Sequence, residues 1–260
     1  MNQITVDAEK CKRDGMCAEV CPTGFLTVGG EGWPKEAPEN PCIACGHCVA
    51  VCPHGALAHS GLEGGGFSSV PKNLPGLSDA RALMLARRSV RAYKDKPVSA
   101  DMLGGLLDTA RYAPTAVNSQ KVSFVACVDP AKVKEAASLC VEWLRGTGYY
   151  PHLVQAWDMG REVALRGAPA IVVAHAPADY PWGETDSVIA LSYLELAAAS
   201  AGLGVCWAGL LTKAAQASPA LSAFLGVGEG QIVRGGLMLG YPKYRYQLIP
   251  PRQAAKVTWL

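Results

Sequence analysis

Apolar residues in the C-terminal two thirds of the chain recur with the periods of both helices and strands. They repeat at helical spacing over residues 103–110, and Ser99 can cap the helix that they form. The same pattern predicts a helix after a Ser78 cap, helices over residues 131–144 and 187–201, and strands over residues 122–128, 169–176 and 231–241. This alternation favours a sheet flanked by helices and leaves its topology open.

One apolar stretch, residues 187–211, is long enough to be compared with a membrane span. It contains Glu195 and is interrupted by Gly202 and Gly204. A buried helix that ends in a glycine turn explains the pattern better than a span does. We therefore predict no membrane association for this chain.

Composition divides the chain into two domains. Residues 60–76 are rich in Gly, Ser and Pro and have no periodic apolar pattern, as is typical of a linker. We predict a small cysteine-rich domain over residues 1–60, a linker over residues 61–78 and a larger domain over residues 79–260.

Charge and cysteine usage narrow the class of protein. Half of the 260 residues are hydrophobic and 18% are charged, which argues against global disorder. The net charge of +2 gives no nucleic-acid footprint, and the N-terminal residues have no apolar region typical of a secretory signal. Seven of the ten cysteines precede residue 53, which indicates a metal site in a reducing compartment and predicts a cytoplasmic protein.

The small domain contains an internal repeat. The run "CKRDGMCAEVCP" begins at Cys11, and the run "CIACGHCVAVCP" begins at Cys42. Every cysteine and the final proline match between the copies except one, because Asp14 occupies the position equivalent to Cys45. Closely spaced thiolates ending in Cys-Pro are typical of iron–sulfur clusters. Structural zinc, the alternative, usually uses two Cys-x₂-Cys pairs farther apart.

Residues 1–60 resemble the bacterial two-cluster ferredoxins. In that family the fourth cysteine of each run crosses to the other cluster. The resemblance implies a [4Fe–4S] cluster on four thiolates, namely Cys42, Cys45, Cys48 and Cys21. The second site would receive Cys11, Cys17 and Cys52, with Asp14 at the fourth corner.

Asp14 leaves two outcomes open at the second site. Its carboxylate can ligate iron and complete a [4Fe–4S] cluster with one oxygen ligand. A weak oxygen ligand can also allow that iron to leave, which gives a [3Fe–4S] cluster. The sequence assigns no role to the nearby residues His47, His54 and His59.

Four blocks of the larger domain resemble the nitroreductase family of FMN enzymes. They are "ARRSVRAYKDKPV", "ARYAPTAVNSQ", "GLGVCWAG" and the C-terminal "GYPKYRYQLIPPRQAAKVTWL". The resemblance covers about residues 80–260. It implies an α+β fold with a central, mostly antiparallel sheet flanked by helices. It also implies non-covalently bound FMN and a homodimer with each flavin at the subunit interface.

The resemblance assigns flavin contacts residue by residue: Arg87, Arg88, Ser89, Arg91, Pro114, Thr115, Ala116, Asn118, Gly202, Leu203, Gly204 and Arg252. Arg87 and Arg252 would neutralise the phosphate, and Arg91 would tune the ring electrostatically. Asn118 would hydrogen-bond the pyrimidine edge. The family more often has Ser at the position of Thr115, which keeps the hydroxyl. No protein residue is predicted to be catalytic, because the reactive atom is the flavin N5.

Together the two domains predict an iron–sulfur flavoprotein oxidoreductase. An external donor would reduce the clusters, the clusters would reduce FMN, and FMN would reduce a small organic acceptor such as a nitro compound or a quinone. Two alternatives stay open. NAD(P)H could reduce the flavin directly, or the chain could be a non-catalytic electron carrier or redox sensor. Cys127, Cys140 and Cys206 are predicted to be structural, although Cys206 lies in the flavin loop.

Overall fold

The computed structural model describes residues 3–62 and 66–260. The chain divides into two compact units. The first comprises Met1–Leu74 together with Val117–Ser119, and the second comprises Pro75–Ala116 and Gln120–Leu260. Of the predicted linker, residues 63–65 lie outside the described residues, residues 66–76 have no helix or strand, and residues 77–78 already belong to a helix.

The first unit repeats one strand–helix–strand pattern. Its elements are β1 (Ile4–Val6), α1 (Met16–Glu19), β2 (Leu26–Val28), β3 (Pro34–Glu36), α2 (His47–Val51) and β4 (Leu57–His59). Strand β1 pairs antiparallel with β4, and β2 pairs antiparallel with β3. Helix α2 follows α1, and β4 follows β2, at the same offset that separates Cys42 from Cys11. The sequence repeat is therefore also a structural repeat.

The backbone of this unit repeats in its unusual conformations as well. Left-handed φ angles occur at equivalent positions of the two copies: Arg13 with Ala44, Gly15 with Gly46, and Gly24 with Gly55. Each short helix starts directly after one of these glycines, Gly15 in the first copy and Gly46 in the second. Glycine adopts this conformation without the steric cost of a Cβ, so both cysteine loops can turn tightly into their helices.

The second unit has a four-stranded sheet with strand order β5–β6–β8–β7, and every pairing in it is antiparallel. The strands are β5 (Ser123–Cys127), β6 (Ala170–Pro177), β7 (Gly204–Trp207) and β8 (Gln231–Gly240). The helices are α3 (Leu77–Ala86), α4 (Ala100–Ala110), α5 (Pro130–Thr147), α6 (Pro151–Asp158), α7 (Gly183–Ser200), α8 (Gly209–Ala217) and α9 (Pro219–Phe224). The predicted antiparallel sheet flanked by helices is confirmed.

Both faces of this sheet are buried. Along β6, Ile171 and Val173 join one apolar cluster, and Val172 and Ala174 join the other. Alternate side chains of a strand point to opposite faces, so a strand covered on both sides is apolar at every position. This explains why residues 169–176 form an almost continuous apolar run in the sequence.

The apolar stretch 187–211 forms separate elements instead of one long helix. Helix α7 ends at Ser200, and Gly202 follows with a φ of 79°. The N–H of Leu203 donates to the carbonyl of Ala198, which is the pattern of a glycine-terminated helix end. Within residues 3–62 and 66–260, no helix is long and apolar enough to cross a membrane.

Two predicted helix caps have different outcomes. The hydroxyl of Ser99 accepts a hydrogen bond from the N–H of Met102 at 3.2 Å, as predicted. The Ser78 cap was wrong, because α3 begins at Leu77 with Gly76 before it. The carbonyl of Gly76 already accepts from Asp79 and Ala80, so the chain becomes helical before Ser78.

Candidate cofactor sites

Two cavities in the first unit are lined by the cysteine runs. One encloses about 330 Å³, including space open to solvent, and is lined by Cys21, Cys42, Cys45 and Cys48. The other encloses about 280 Å³, measured in the same way, and is lined by Cys11, Asp14, Cys17 and Cys52. Each cavity thus receives three residues from one run and the last cysteine of the other. The ligand assignment made from the sequence requires this division of the cysteines between the two cavities. The assignment itself stays a prediction.

The short helices explain how the runs exchange their last cysteines. Cys48 lies within α2, and Cys52 comes directly after the end of that helix at Val51. Cys17 lies within α1 in the same way, and Cys21 follows shortly after it. One helical turn therefore separates the last two cysteines of each run and directs them to different cavities.

Asp14 lies on the wall of its cavity. Its Oδ1 accepts a hydrogen bond from the N–H of Met16 at 3.2 Å, and its Oδ2 lies 3.6 Å from Nε2 of His54. The Asp14 side chain is 31% exposed, so water can reach the carboxylate. Water could therefore compete with the carboxylate for the fourth iron. Retention of that iron would give a [4Fe–4S] cluster, and its loss would give a [3Fe–4S] cluster.

Backbone N–H groups are directed at the last cysteine of each run. The N–H of Leu26 donates to Cys21 Sγ at 3.3 Å, and the N–H of Ala56 donates to Cys52 Sγ at 3.4 Å. Burial opposes ionisation of Cys21, but hydrogen bonds from Leu26 and from Thr23 hold the pKa of Cys21 below its usual value.

For Cys17 and Cys48, the effect of burial is not outweighed by hydrogen bonds. Burial raises the pKa of Cys17 and of Cys48. Iron binds the thiolate form, so ligation would have to supply the energy that keeps these two groups ionised.

The donors that line the two cavities fit an iron–sulfur cluster. Over the described ranges 3–62 and 66–260, no three Cys, His, Asp or Glu side chains come close enough together to hold a single metal ion. A cluster instead needs thiolates distributed around a cavity, with hydrogen-bond donors to sulfur nearby. Both cavities provide this arrangement.

In the second unit, a wide cleft contains five of the predicted flavin residues. Its walls include Arg87, Arg88, Gly202, Leu203 and Gly204. The cleft encloses about 1470 Å³ of space that is open to solvent.

Backbone pairing joins the first and third of the four nitroreductase-like blocks, at Ser89–Val90 and at Gly204–Val205. The N–H of Val90 donates to the carbonyl of Val205 at 2.9 Å, and Ser89 forms a parallel bridge with Val205. A Cβ on Gly204 would lie 2.7 Å from three side-chain atoms of Val90. Glycine at this position therefore allows the two segments to pack against each other.

The charged residues that line the cleft are all cations. Besides Arg87 and Arg88, its lining includes Lys94, Lys243 and Arg245. Such a wall suits a phosphate group. The predicted phosphate ligand Arg87 is partly neutralised, because its Nη1 donates to Glu195 Oε1 at 2.9 Å.

The remaining predicted flavin residues lie elsewhere in this chain. Arg91 donates to the carbonyl of Ser89 at 3.3 Å. Thr115 accepts from the N–H of Gln120 at 3.1 Å and lines a smaller cavity. Arg252 is exposed in the C-terminal segment after Gly240, which has no helix or strand. These residues do not join the described wall of the cleft within a single chain.

Asn118 makes a contact that its sequence motif does not predict. Residues 117–119 belong to the first unit, where the side-chain amide of Asn118 donates to the carbonyls of Ile43 and Ala44 at 3.1 and 3.0 Å. Its predicted hydrogen bond to the flavin stays a prediction.

Comparison with known proteins decides the family. The model of the nitroreductase family matches residues 84–241. The chain belongs to the nitroreductase family. A model of a 4Fe-4S dicluster domain matches residues 3–53, so this nitroreductase carries an N-terminal iron–sulfur domain.

Relatives agree with both assignments. An Archaeoglobus fulgidus protein named for NADH dehydrogenase and NAD(P)H nitroreductase activity is 28% identical over 171 residues, which are 64% of this chain and 87% of that protein. A nitroreductase structure from Bacteroides fragilis with bound FMN has a TM-score of 0.62 and 27% identity, and the match covers 70% of this chain and 98% of that one. A polyferredoxin from Methanothermus fervidus is 40% identical over 67 residues, which are 24% of this chain and 15% of that protein.

Two buried carboxylates of this nitroreductase were missed by sequence reasoning. Glu195, which is 8% exposed, accepts from Arg87 and from Trp207 Nε1. Asp186, which is 2% exposed, accepts from the N–H of Ala116 at 3.2 Å and from the Tyr180 hydroxyl at 2.6 Å. An acidic residue inside an otherwise apolar helix was the available signal for Glu195.

The three cysteines of the second unit do not join a cluster cavity among those described. Burial raises the pKa of Cys206 and raises that of Cys140 to about 12. Both thiols are buried and weakly nucleophilic, which supports their predicted structural role.

Proposed function

We propose that this nitroreductase is an iron–sulfur flavoprotein oxidoreductase that passes electrons from an external donor through two clusters to FMN and on to a small organic acceptor. The observation that carries the proposal is the presence, in one chain, of two cysteine-lined cavities and one cleft lined by cations and glycines. Nitro compounds and quinones are the acceptor classes that we propose. The cytoplasmic location predicted from the cysteine-rich sequence stays part of this proposal.

The cavity with four cysteines would hold a [4Fe–4S] cluster. The cavity with Asp14 would hold either a [4Fe–4S] cluster with carboxylate ligation or a [3Fe–4S] cluster. In both, the protein would supply thiolates, place apolar residues around the cavity, and direct backbone N–H groups at sulfur.

The cleft would hold FMN. The phosphate would be bound by the cations of the cleft wall, namely Arg88, Lys94, Lys243 and Arg245. The backbone at Gly202 and Gly204 would allow close approach of the flavin. When bound, FMN supplies the exchange between one-electron and two-electron chemistry. Asp186 would hold the loop at Ala116 in place.

A homodimer would complete the cleft. Residues 114–116 and Arg252 are assigned to the flavin by resemblance, yet they do not join the described wall of the cleft in one chain. A second copy of the chain is the source that we propose for these contacts. Light scattering of the FMN-loaded protein tests this, and a monomer that binds FMN fully would contradict it.

The relay is tested by anaerobic reduction of the fully loaded protein. Reduced ferredoxin should bleach the flavin absorbance in the wild type. In Cys45→Ala, which removes a ligand of the all-cysteine cluster, that rate should fall at least tenfold. Cys127→Ala is the matched control, because Cys127 lies outside both cluster cavities, and its rate should not change.

NAD(P)H is the second candidate donor, because the A. fulgidus relative is named for NAD(P)H chemistry. If NADPH reduces the flavin rapidly in both the wild type and Cys45→Ala, direct reduction of the flavin is correct and the relay is not required.

A further inference from the structure

We propose that His59 sets the reduction potential of the cluster bound by Cys21, Cys42, Cys45 and Cys48, by donating a hydrogen bond from its Nε2 to the sulfur of Cys42. This inference rests on the proposed cluster in that cavity. His59 would act on the cluster through Cys42, so it is a positioning residue.

The contact is short and buried. Nε2 of His59 lies 3.3 Å from Cys42 Sγ, and His59 is 5% exposed. The residue ends β4 and pairs with Ile4 of β1, and the next N–H along the chain, that of Ser60, donates to the carbonyl of Gln3. The imidazole is therefore held on a paired strand.

A second hydrogen bond determines which ring nitrogen carries the proton. The N–H of Gly61 donates to His59 Nδ1 at 3.0 Å, so Nδ1 must present a lone pair. The proton of a neutral imidazole then lies on Nε2, which faces Cys42. Since a ligating thiolate can only accept, the direction of the bond is N–H to sulfur.

Gly61 is suited to this task. A Cβ at this position would lie 3.2 Å from Cε1 and 3.4 Å from Nδ1 of His59, which is closer than side chains usually pack. Without a Cβ, the backbone N–H can approach the ring directly.

The other copy of the repeat lacks this donor. Aligning the two copies places Cys11 opposite Cys42 and Val28 opposite His59. Val28 is 53% exposed, and its side chain cannot donate a hydrogen bond. A hydrogen bond to sulfur withdraws electron density and favours the reduced cluster, so it raises the reduction potential. The donor would therefore act on the all-cysteine cluster alone.

The test is an anaerobic potentiometric titration of the loaded, full-length protein, followed by EPR. At the wild-type midpoint of the all-cysteine cluster, His59→Leu should lower the ratio of reduced to oxidised cluster at least tenfold, which corresponds to about 59 mV. His59→Gln, which keeps a donor, should recover part of this change. His152→Leu is the control, because His152 is an exposed histidine that does not line this cavity, and the potential should not move in this variant.

A second measurement needs no variant. In the wild type with ¹⁵N-labelled histidine, pulsed EPR of the reduced cluster should show coupling to a histidine nitrogen across the hydrogen bond. An unchanged potential in His59→Leu with full iron content, or a missing coupling in the wild type, would overturn the assignment. A wild type that binds no iron in this cavity would instead refute the proposed cluster itself.

Discussion

The two units support their candidate cofactor sites with very different amounts of protein. Among the described residues of the first unit, the buried apolar cluster is small, and every candidate cysteine ligand except Cys45 belongs to it or packs directly against it. In the second unit, two much larger buried clusters cover the two faces of the sheet. We therefore expect the first unit to depend on its proposed clusters for stability, whereas the second unit buries enough apolar surface to fold around its own core.

Removal of the iron gives the strongest test of this difference between the two units. We expect anaerobic chelation to unfold the first unit, because structural metal sites contribute on the order of 10 kcal/mol to folding. The second unit should keep its structure. Hydrogen exchange over residues 3–62 and 120–240 measures the two effects separately. Equal loss of protection in both ranges would show that the units do not differ in this way.

Gly204→Ala should have the next largest effect, and only in the second unit. The added Cβ would lie 2.7 Å from three atoms of Val90 and push the segment that contains Arg87, Arg88 and Val90 away from β7. We expect a loss of about 1–3 kcal/mol in unfolding free energy, together with weaker FMN binding. Thermal unfolding and a flavin fluorescence titration measure these. Gly228→Ala is the control, since a Cβ there meets no atom within 4 Å.

Asp186→Ala tests whether a buried carboxylate orders the loop at residues 114–116. The change would leave the N–H of Ala116 and the hydroxyl of Tyr180 without this acceptor, at a cost of about 1–3 kcal/mol in unfolding free energy, measured by thermal unfolding. FMN affinity should fall as well, because the loop at residues 114–116 would no longer be held. Full FMN affinity with reduced stability would indicate a purely structural role for Asp186.

The smallest effect on stability is expected from Asp14→Cys, which makes the two copies of the repeat alike. The new thiolate should retain the fourth iron of its cluster during exposure to air, whereas iron should be lost more readily from the wild type. Iron content and the EPR spectrum measure the difference. If neither changes, Asp14 does not limit iron binding at that corner.

The cysteine runs can be recognised from the sequence because most of their parts are local. Each short run contains three of the predicted ligands of one cavity, its turn and the helix that precedes the last cysteine. The cleft of the second unit depends on contacts between distant segments. Glu195 lies 108 residues from Arg87, and no motif around either residue indicates their ion pair.

Backbone geometry at the helix start decided the two predicted caps. Ser99 was a correct cap because its hydroxyl meets an N–H three residues later. Ser78 was wrong because the backbone of Gly76 already starts the helix. The contact of His59 with Cys42 could not be predicted, since it depends on the pairing of the first and last strands of the unit.

The exchange of cysteines between the copies of the repeat makes each half incomplete. Each cavity takes its last cysteine from the other half, and each two-stranded sheet joins one strand from each half. A single half could therefore close neither cavity and would leave both of its strand edges unpaired. Two identical copies of the second half would have to associate, and their pair would contain two equivalent four-thiolate cavities. The fused chain provides what such a symmetric pair cannot, because only fusion lets one cavity acquire a carboxylate while the other keeps four thiols.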